Sequence, residues 1–117
     1  MRLTNTIKRS GTMLLAVVLI SGCASDPATI APISINPAIY QGWSCNQLRQ
    51  EKASQSASLE ILVAQQVRAQ EGDALGVFLI GLPTSSMSGN DKESEIANAR
   101  GQLAAIEQNL IAKNCRQ

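Results

Sequence analysis

The positions of proline divide this chain into an arm and two segments that can be helical. Three of the four prolines lie at five-residue spacing within residues 27–37, whereas residues 44–82 and 84–117 contain none. Proline lacks a backbone donor and restricts the residue before it, which disfavours a helix in the first region. The sequence therefore predicts an extended tether over residues 23–43, at most about 60 Å long at roughly 3.1 Å per residue. The alternative is an arm that folds back and packs Ile33, Ile35, Ile39 and Tyr40 on the helices.

The first predicted helix covers about residues 45–71. Ser44 and Gln47 have the spacing of a capping box, in which each side chain accepts a hydrogen bond from the other residue's backbone amide. Three polar residues interrupt the heptad pattern at its core positions: Lys52, Gln55 and Gln66. The pattern predicts a helix whose apolar seam is weak in the middle.

The second predicted helix covers about residues 91–114 and has a cleaner pattern. Asn90 and Glu93 repeat the capping-box spacing. Apolar residues then occupy successive a and d positions: Ile96, Ala99, Leu103, Ile106 and Leu110. One apolar face is expected to pack on the first helix, and Gly101 would let the partner helix approach closely.

Residues 1–22 have the pattern of an export signal. Arg2, Lys8 and Arg9 form a positive head, and "GTMLLAVVLI" at residues 11–20 is a short apolar core followed by two small residues. A helix that spans a bilayer needs about 20 apolar residues, so this segment is too short to be a permanent anchor. It is predicted to be a signal peptide, removed from the mature chain.

The sequence Ile20-Ser21-Gly22-Cys23 resembles the bacterial lipobox. In proteins with this motif the cysteine thiol receives a diacylglyceryl group, the signal is cut before the cysteine, and the new amino group is acylated. We therefore expect Cys23 to be the lipidated first residue, with membrane lipid as its partner. Ala24, in place of aspartate, favours the periplasmic face of the outer membrane of the bacterial cell envelope, by resemblance to enterobacterial lipoproteins. The alternative is a chance cysteine after an ordinary signal.

Once Cys23 carries lipid, Cys45 and Cys115 are the pair that remains, and the compartment is oxidising. They lie at the start of the first predicted helix and the end of the second, and the two helices have similar lengths of about 40 Å. Antiparallel packing would bring the thiols together. The sequence thus predicts an all-α fold over residues 44–117, an antiparallel two-helix hairpin closed by a Cys45–Cys115 disulfide. Free or intermolecular cysteines, or a two-cysteine zinc site, are the alternatives.

Between the helices lies "ALGVFLIGLP", which we call the apolar tip (residues 74–83). As a helix it would extend about 15 Å, too short to cross a bilayer. It could continue the first helix and pack on the second, contact a membrane, or contact a protein. In the last two cases the contact residues would be Val77, Phe78, Leu79 and Ile80.

Charge and composition argue against several classes of function. After residue 22 the chain has seven basic and nine acidic residues and no histidine, so there is no basic patch for nucleic acid and no imidazole base. Ser85, Ser86 and Ser88 lie in a polar turn with nothing to activate them. We expect no enzyme activity, no catalytic residue, no metal, no small-molecule substrate, and no cofactor other than the covalent lipid on Cys23.

Two segments resemble a group of small proteobacterial lipoproteins of uncharacterised function. These are "WSCNQLRQE" at residues 43–51, with Cys-x-x-Leu-x-x-Glu, and "ARGQLAAIEQNLIAKNC" at residues 99–115, with Lys-x-Cys. A glycine-containing apolar stretch lies between them in the group, as it does here. The resemblance implies an architecture and no activity.

The function expected from these features is that of an envelope module with a structural or protein-interaction role. Its partner would be another envelope protein or a second copy of the chain. The alternative is a membrane-contacting or membrane-bridging protein that inserts the apolar tip into a bilayer.

Overall fold

A computed structural model describes residues 23–116, and these residues form helices and no strand. The helices are α1 (Cys45–Ile80), α2 (Thr84–Met87) and α3 (Glu93–Ala112), and two short 3-10 helices, Pro27–Thr29 and Pro37–Tyr40, precede them. The all-helical prediction is confirmed for this part of the chain. The predicted signal peptide, residues 1–22, lies outside the described residues.

Helices α1 and α3 contact each other in antiparallel order. Cys45 at the start of α1 forms a disulfide with Cys115, just beyond α3. Further along α1, Lys52 forms an ion pair with Glu107 at 3.0 Å between Nζ and Oε1. The predicted disulfide is confirmed, and the ion pair accounts for one polar residue at a core position of α1.

The two helices are unequal, which differs from the predicted pair of similar length. Helix α1 has 36 residues and α3 has 20. The apolar tip, predicted to lie after the first helix, extends α1 to Ile80. Gly81 then ends the helix in a left-handed conformation (φ 75°) that residues with a side chain rarely adopt. Its N–H donates to the carbonyl of Val77.

The start of α1 was predicted correctly and that of α3 was not. Ser44 and Gln47 form the expected capping box. Helix α3 begins at Glu93 with no side-chain cap from Asn90. The first free amides of α3 have other acceptors: Lys92 N–H binds Gln66 Oε1, and Glu93 N–H binds an Asp91 carboxylate oxygen at 2.9 Å.

Residues 24–43 do not form a free tether. Parts of this arm are extended, as the prolines predicted, but it lies on the helices. Ile30 and Tyr40 are buried, and the N–H of Ile33 donates to the carbonyl of Ala97 on α3 at 3.0 Å. Two helices alone enclose only a thin core, so the arm adds the apolar surface that they lack.

The arm crosses α3 at Gly101. A Cβ at this position would clash with the carbonyl oxygen of Ile33, so only glycine allows this close approach. The neighbouring Arg100 guanidinium donates to the carbonyl oxygen of Ile30. Gly101 therefore accommodates the arm, and not the first helix as the sequence suggested.

Two apolar clusters form the core. Near the disulfide the cluster consists of Tyr40, Leu48, Ala105 and Ile106, with Ile35, Trp43 and Leu110 packed on it. The rings of Tyr40 and Trp43 meet edge to face at 5.1 Å. The second cluster consists of Ile30, Ile96 and Ala97, with Leu59, Leu62 and Val63 packed on it. Each cluster combines residues of the arm, α1 and α3.

Candidate functional site

The most unusual buried group is the carboxylate of Asp73, in the last third of α1. Its side chain is fully buried. Oδ2 accepts hydrogen bonds from the backbone N–H of Ala24 at 2.8 Å and from the Ser86 hydroxyl, and Oδ1 accepts from the Ser86 N–H at 2.8 Å. Buried ionised groups need such partners. Asp73 therefore joins three parts of the chain: the arm, α1 and α2.

These hydrogen bonds keep Asp73 ionised. Burial alone raises the pKa of the carboxyl, because it penalises the charged form. The hydrogen bonds from Ser86, Ala24 and Ser85 act in the opposite direction and prevail, so the pKa lies below its usual value. Asp73 is thus a charged acceptor at neutral pH.

A second buried polar residue of α1 holds the next residue of the arm. Gln66, fully buried, donates from Nε2 to the carbonyl of Ser25 at 2.9 Å. The Ser25 hydroxyl donates to Glu93 Oε2 at 2.7 Å. We call the side chains of Gln66, Asp73 and Glu93 the N-terminal clamp, because together they fix residues 24 and 25.

Cys23, the predicted site of lipidation, is exposed and directly precedes the clamped residues. Residue 24 is bound to the body by its backbone, so a group on residue 23 starts at the protein surface beside Asp73. The clamp was not predicted from the sequence. The feature that marks it there is Gln66, a polar residue in the apolar seam of the first helix, with Asp73 seven residues later on the same helix face.

The apolar tip lies immediately after Asp73 and is largely uncovered. The predicted contact residues Val77, Phe78, Leu79 and Ile80 are all exposed, and Phe78 is 85% exposed. Only the side of the helix at Gly76 is covered: a Cβ there would lie 2.5 Å from the Leu82 carbonyl oxygen. The tip therefore continues α1, as one alternative held, but its large side chains do not pack internally.

The exposed apolar residues at the tip lie in a segment without charge. Other large apolar side chains exposed in this region are those of Leu75, Leu82 and Met87. No charged residue occurs from residue 74 to residue 90. A helix that is apolar on all sides is normally buried in a core or a membrane, so this end of α1 is a candidate contact surface.

Other surfaces of the described residues are weaker candidates for a functional site than the clamp and the apolar tip. An open groove of about 820 Å³ at the disulfide end is lined mainly by α1, α3 and the residues after it, among them Arg49, Ile111 and Arg116. Ser86 is bound to Asp73, and the Ser88 hydroxyl donates to the carbonyls of α2. Within residues 23–116 no three metal-ligating side chains cluster.

None of the helices in the described region is long and apolar enough to cross a membrane. Searches against protein-family models, curated proteins and solved structures find no significant match to this chain.

Proposed function

We propose that this protein is a lipid-anchored module of the bacterial envelope, at the periplasmic face of the outer membrane, with a structural or protein-interaction role. The lipobox-like sequence before Cys23 and the Cys45–Cys115 disulfide both suit an exported protein. The observation that carries the proposal is the clamp on Ala24 and Ser25. A mature chain that begins at Cys23 would begin on the surface of the folded body.

The clamp determines how close to the membrane the lipid anchor would hold the folded body. A free arm of residues 24–43 would let the body move up to about 60 Å from the membrane. With residue 24 bound to Asp73, the acyl chains hold the body directly at the bilayer surface. Several acyl chains make such anchoring stable, whereas one holds only marginally. The body, an antiparallel α1–α3 hairpin closed by the disulfide, then has a fixed position from which to contact an envelope protein or a second copy.

The proposal assigns no catalytic step to this protein. Its polar clusters hold the arm in place, and the carboxylates outside the clamp lie mainly on helix surfaces. Its work would be done by contact surfaces, without cofactor or small-molecule substrate.

Intact mass of the protein extracted from its native membrane tests the proposal. The expected species starts at Cys23, carries diacylglyceryl and acyl mass, and gains two hydrogens when the disulfide is reduced. A Cys23→Ser chain should lose the added mass and leave the membrane fraction, whereas Ser21→Ala, which keeps a small residue before the cysteine, should not. A wild-type chain without acyl mass would refute lipid anchoring.

A membrane-contacting role is the second candidate, and the exposed, uncharged apolar tip favours it. Flotation of the unlipidated, oxidised chain with phospholipid vesicles tests it. Wild type should float with the vesicles, and a Val77→Ser, Phe78→Ser, Leu79→Ser variant should not. If neither floats, the tip alone does not bind lipid.

A further inference from the structure

We propose that the apolar tip enters the same membrane leaflet that holds the acyl chains of Cys23. The body would then stand with the C-terminal end of α1 in the bilayer and the disulfide facing away from it. The N-terminal clamp is the positioning device, because it fixes the anchor beside the tip. This inference rests on the proposed lipidation of Cys23.

The clamp places the anchor close to the apolar tip. Ala24 is bound to Asp73, and α1 rises about 1.5 Å per residue, so Phe78 lies only about 8 Å further along the axis and Ile80 about 10 Å. Met87 lies at the same end, since the neighbouring Ser86 also binds Asp73. The anchor, Phe78, Ile80 and Met87 are therefore at one end of the molecule.

The apolar tip has the size and chemistry for one leaflet. Its helical part, residues 74–80, extends about 10 Å, less than half of a hydrocarbon core about 30 Å thick. The tip thus fits one leaflet and cannot cross both. Exposed apolar side chains occupy the helix surface from Leu75 through Ile80 except on the side at Gly76, and no charge occurs until Asp91. A peptide groove on a partner would cover one of these exposed faces, whereas lipid can cover all of them.

The position of the anchor disfavours the alternative, in which the tip bridges two membranes. Helix α1 is about 54 Å long, and its far end carries the disulfide. A protein held by residue 23 at the tip end presents the disulfide end, not the tip, to an opposite membrane. Bridging through the tip would need Ala24 to leave Asp73 and the arm to detach from α3.

Tryptophan fluorescence in vesicles tests the inference. The acylated protein, its mass verified, carries Phe78→Trp in a Trp43→Phe background, and a matched variant carries Ile111→Trp, whose native side chain is 76% exposed near the disulfide. Both are reconstituted in phosphatidylethanolamine–phosphatidylglycerol vesicles. Brominated lipid, which quenches tryptophan on contact, is placed either in these vesicles or in a second population that lacks the protein.

The expected result is quenching of the Phe78→Trp variant several times stronger than that of the Ile111→Trp variant, and only by bromine in the vesicles that hold the anchor. Quenching by the second population alone would show bridging and overturn the inference. A blue-shifted but unquenched emission from the Phe78→Trp variant would show that protein covers the tip, and would also overturn it. If the mass shows no acylation, the proposed function fails and this inference falls with it, since no acyl chains then hold the tip at a leaflet.

Asp73→Asn tests the clamp as the positioning element. An amide cannot accept at both positions that the two carboxylate oxygens occupy, so either Ala24 or Ser86 loses its partner. Added to the acylated Phe78→Trp variant, Asp73→Asn should leave the protein in the vesicles with weaker tryptophan quenching. Glu71→Gln, an exposed change two residues away, should leave the quenching unchanged. Full quenching with Asp73→Asn would overturn the positioning role.

Discussion

The two ends of the α1–α3 pair are held together by different kinds of interaction. At one end a disulfide joins Cys45 to Cys115, over a cluster that includes Tyr40, Leu48 and Ile106. At the other end the N-terminal clamp holds the arm by hydrogen bonds to buried polar groups, and the apolar side chains of the tip point outward. One end is covalently closed over a buried apolar cluster, and the other has buried polar groups beside an exposed apolar tip.

This contrast indicates a division of roles. Apolar surface buried beside the disulfide stabilises the fold, whereas apolar surface exposed at the tip adds nothing to the stability of the isolated chain. A carboxylate with several hydrogen bonds adds geometric precision, because its acceptors fix where the donors lie. The disulfide end therefore suits stability, and the clamp end suits the placement of residue 23 beside the tip.

The largest effect should come from the disulfide. Replacing Cys45 and Cys115 by serine opens a loop with a sequence separation of 70 residues. In the chain-entropy model this lowers the free energy of unfolding by about 4 kcal/mol. Urea unfolding of residues 23–117, followed by circular dichroism, measures it. Cys23→Ser is the control, since that thiol is exposed and unbonded; an equal loss in the control would contradict the prediction.

The core beside the disulfide should give the next largest effect. Ile106→Ala removes a fully buried side chain, and truncations of this kind cost about 2–5 kcal/mol. Ile111→Ala makes the same change on the exposed face of α3, where surface substitutions stay within about 0.5 kcal/mol. The same urea titration compares them. Similar losses in both variants would mean that α3 packs with a different face than the one described.

The sequence predicted the disulfide end better than the clamp end, for a physical reason. Heptad spacing, the Ser44 cap and the count of cysteines are local or pairwise signals, and they sufficed to place α3 on α1 with Cys45 near Cys115. The clamp depends on Ala24 meeting Asp73 across 49 residues. Gln66 and Asp73 are unusual on that helix face, but their partner is a backbone amide, which every residue except proline has, so the sequence does not indicate which residue they would bind.

The same reason explains the errors at the arm and at α3. Proline spacing predicted extended backbone but not where it would lie, since that depends on the space that Gly101 leaves for Ile33. Asn90 had the spacing of a cap, but Gln66 from α1 supplied the acceptor that α3 needed. From its apolar composition the tip could pack internally or contact a membrane or a protein, and the structure shows that its large side chains do not pack internally.

The clamp end should respond to acid in a way that the disulfide end does not. Because the pKa of Asp73 is lowered in the folded protein, its contribution to stability is present above the unfolded pKa of about 3.9 and is lost as pH falls through the folded value. Wild type should therefore lose more stability than Asp73→Asn between about pH 5 and pH 2. At neutral pH the variant should already be weaker by about 2 kcal/mol, as expected for hydrogen bonds lost to a charged acceptor.

Urea midpoints across this pH range measure the difference, and Glu71→Gln controls for the other carboxylates. A parallel loss of stability in wild type and Asp73→Asn would mean that Asp73 is not the group that titrates. Loss of hydrogen-exchange protection at the Ala24 amide in Asp73→Asn, with protection at Leu48 retained, would locate the effect at the clamp.

The smallest effect on stability should come from the residue that is most important for the proposed contact. Phe78 is 85% exposed, so Phe78→Ser should change the free energy of unfolding by no more than about 0.5 kcal/mol. In the acylated protein the same substitution should reduce quenching of tryptophan placed at Leu82 by brominated lipid. The two ends of the molecule should therefore respond differently. A change near Ile106 should lower the free energy of unfolding without altering lipid contact. A change at Phe78 should reduce lipid contact without lowering the free energy of unfolding. If Phe78→Ser lowers stability as much as a core truncation, then the tip is covered in solution, and the contrast between the two ends fails.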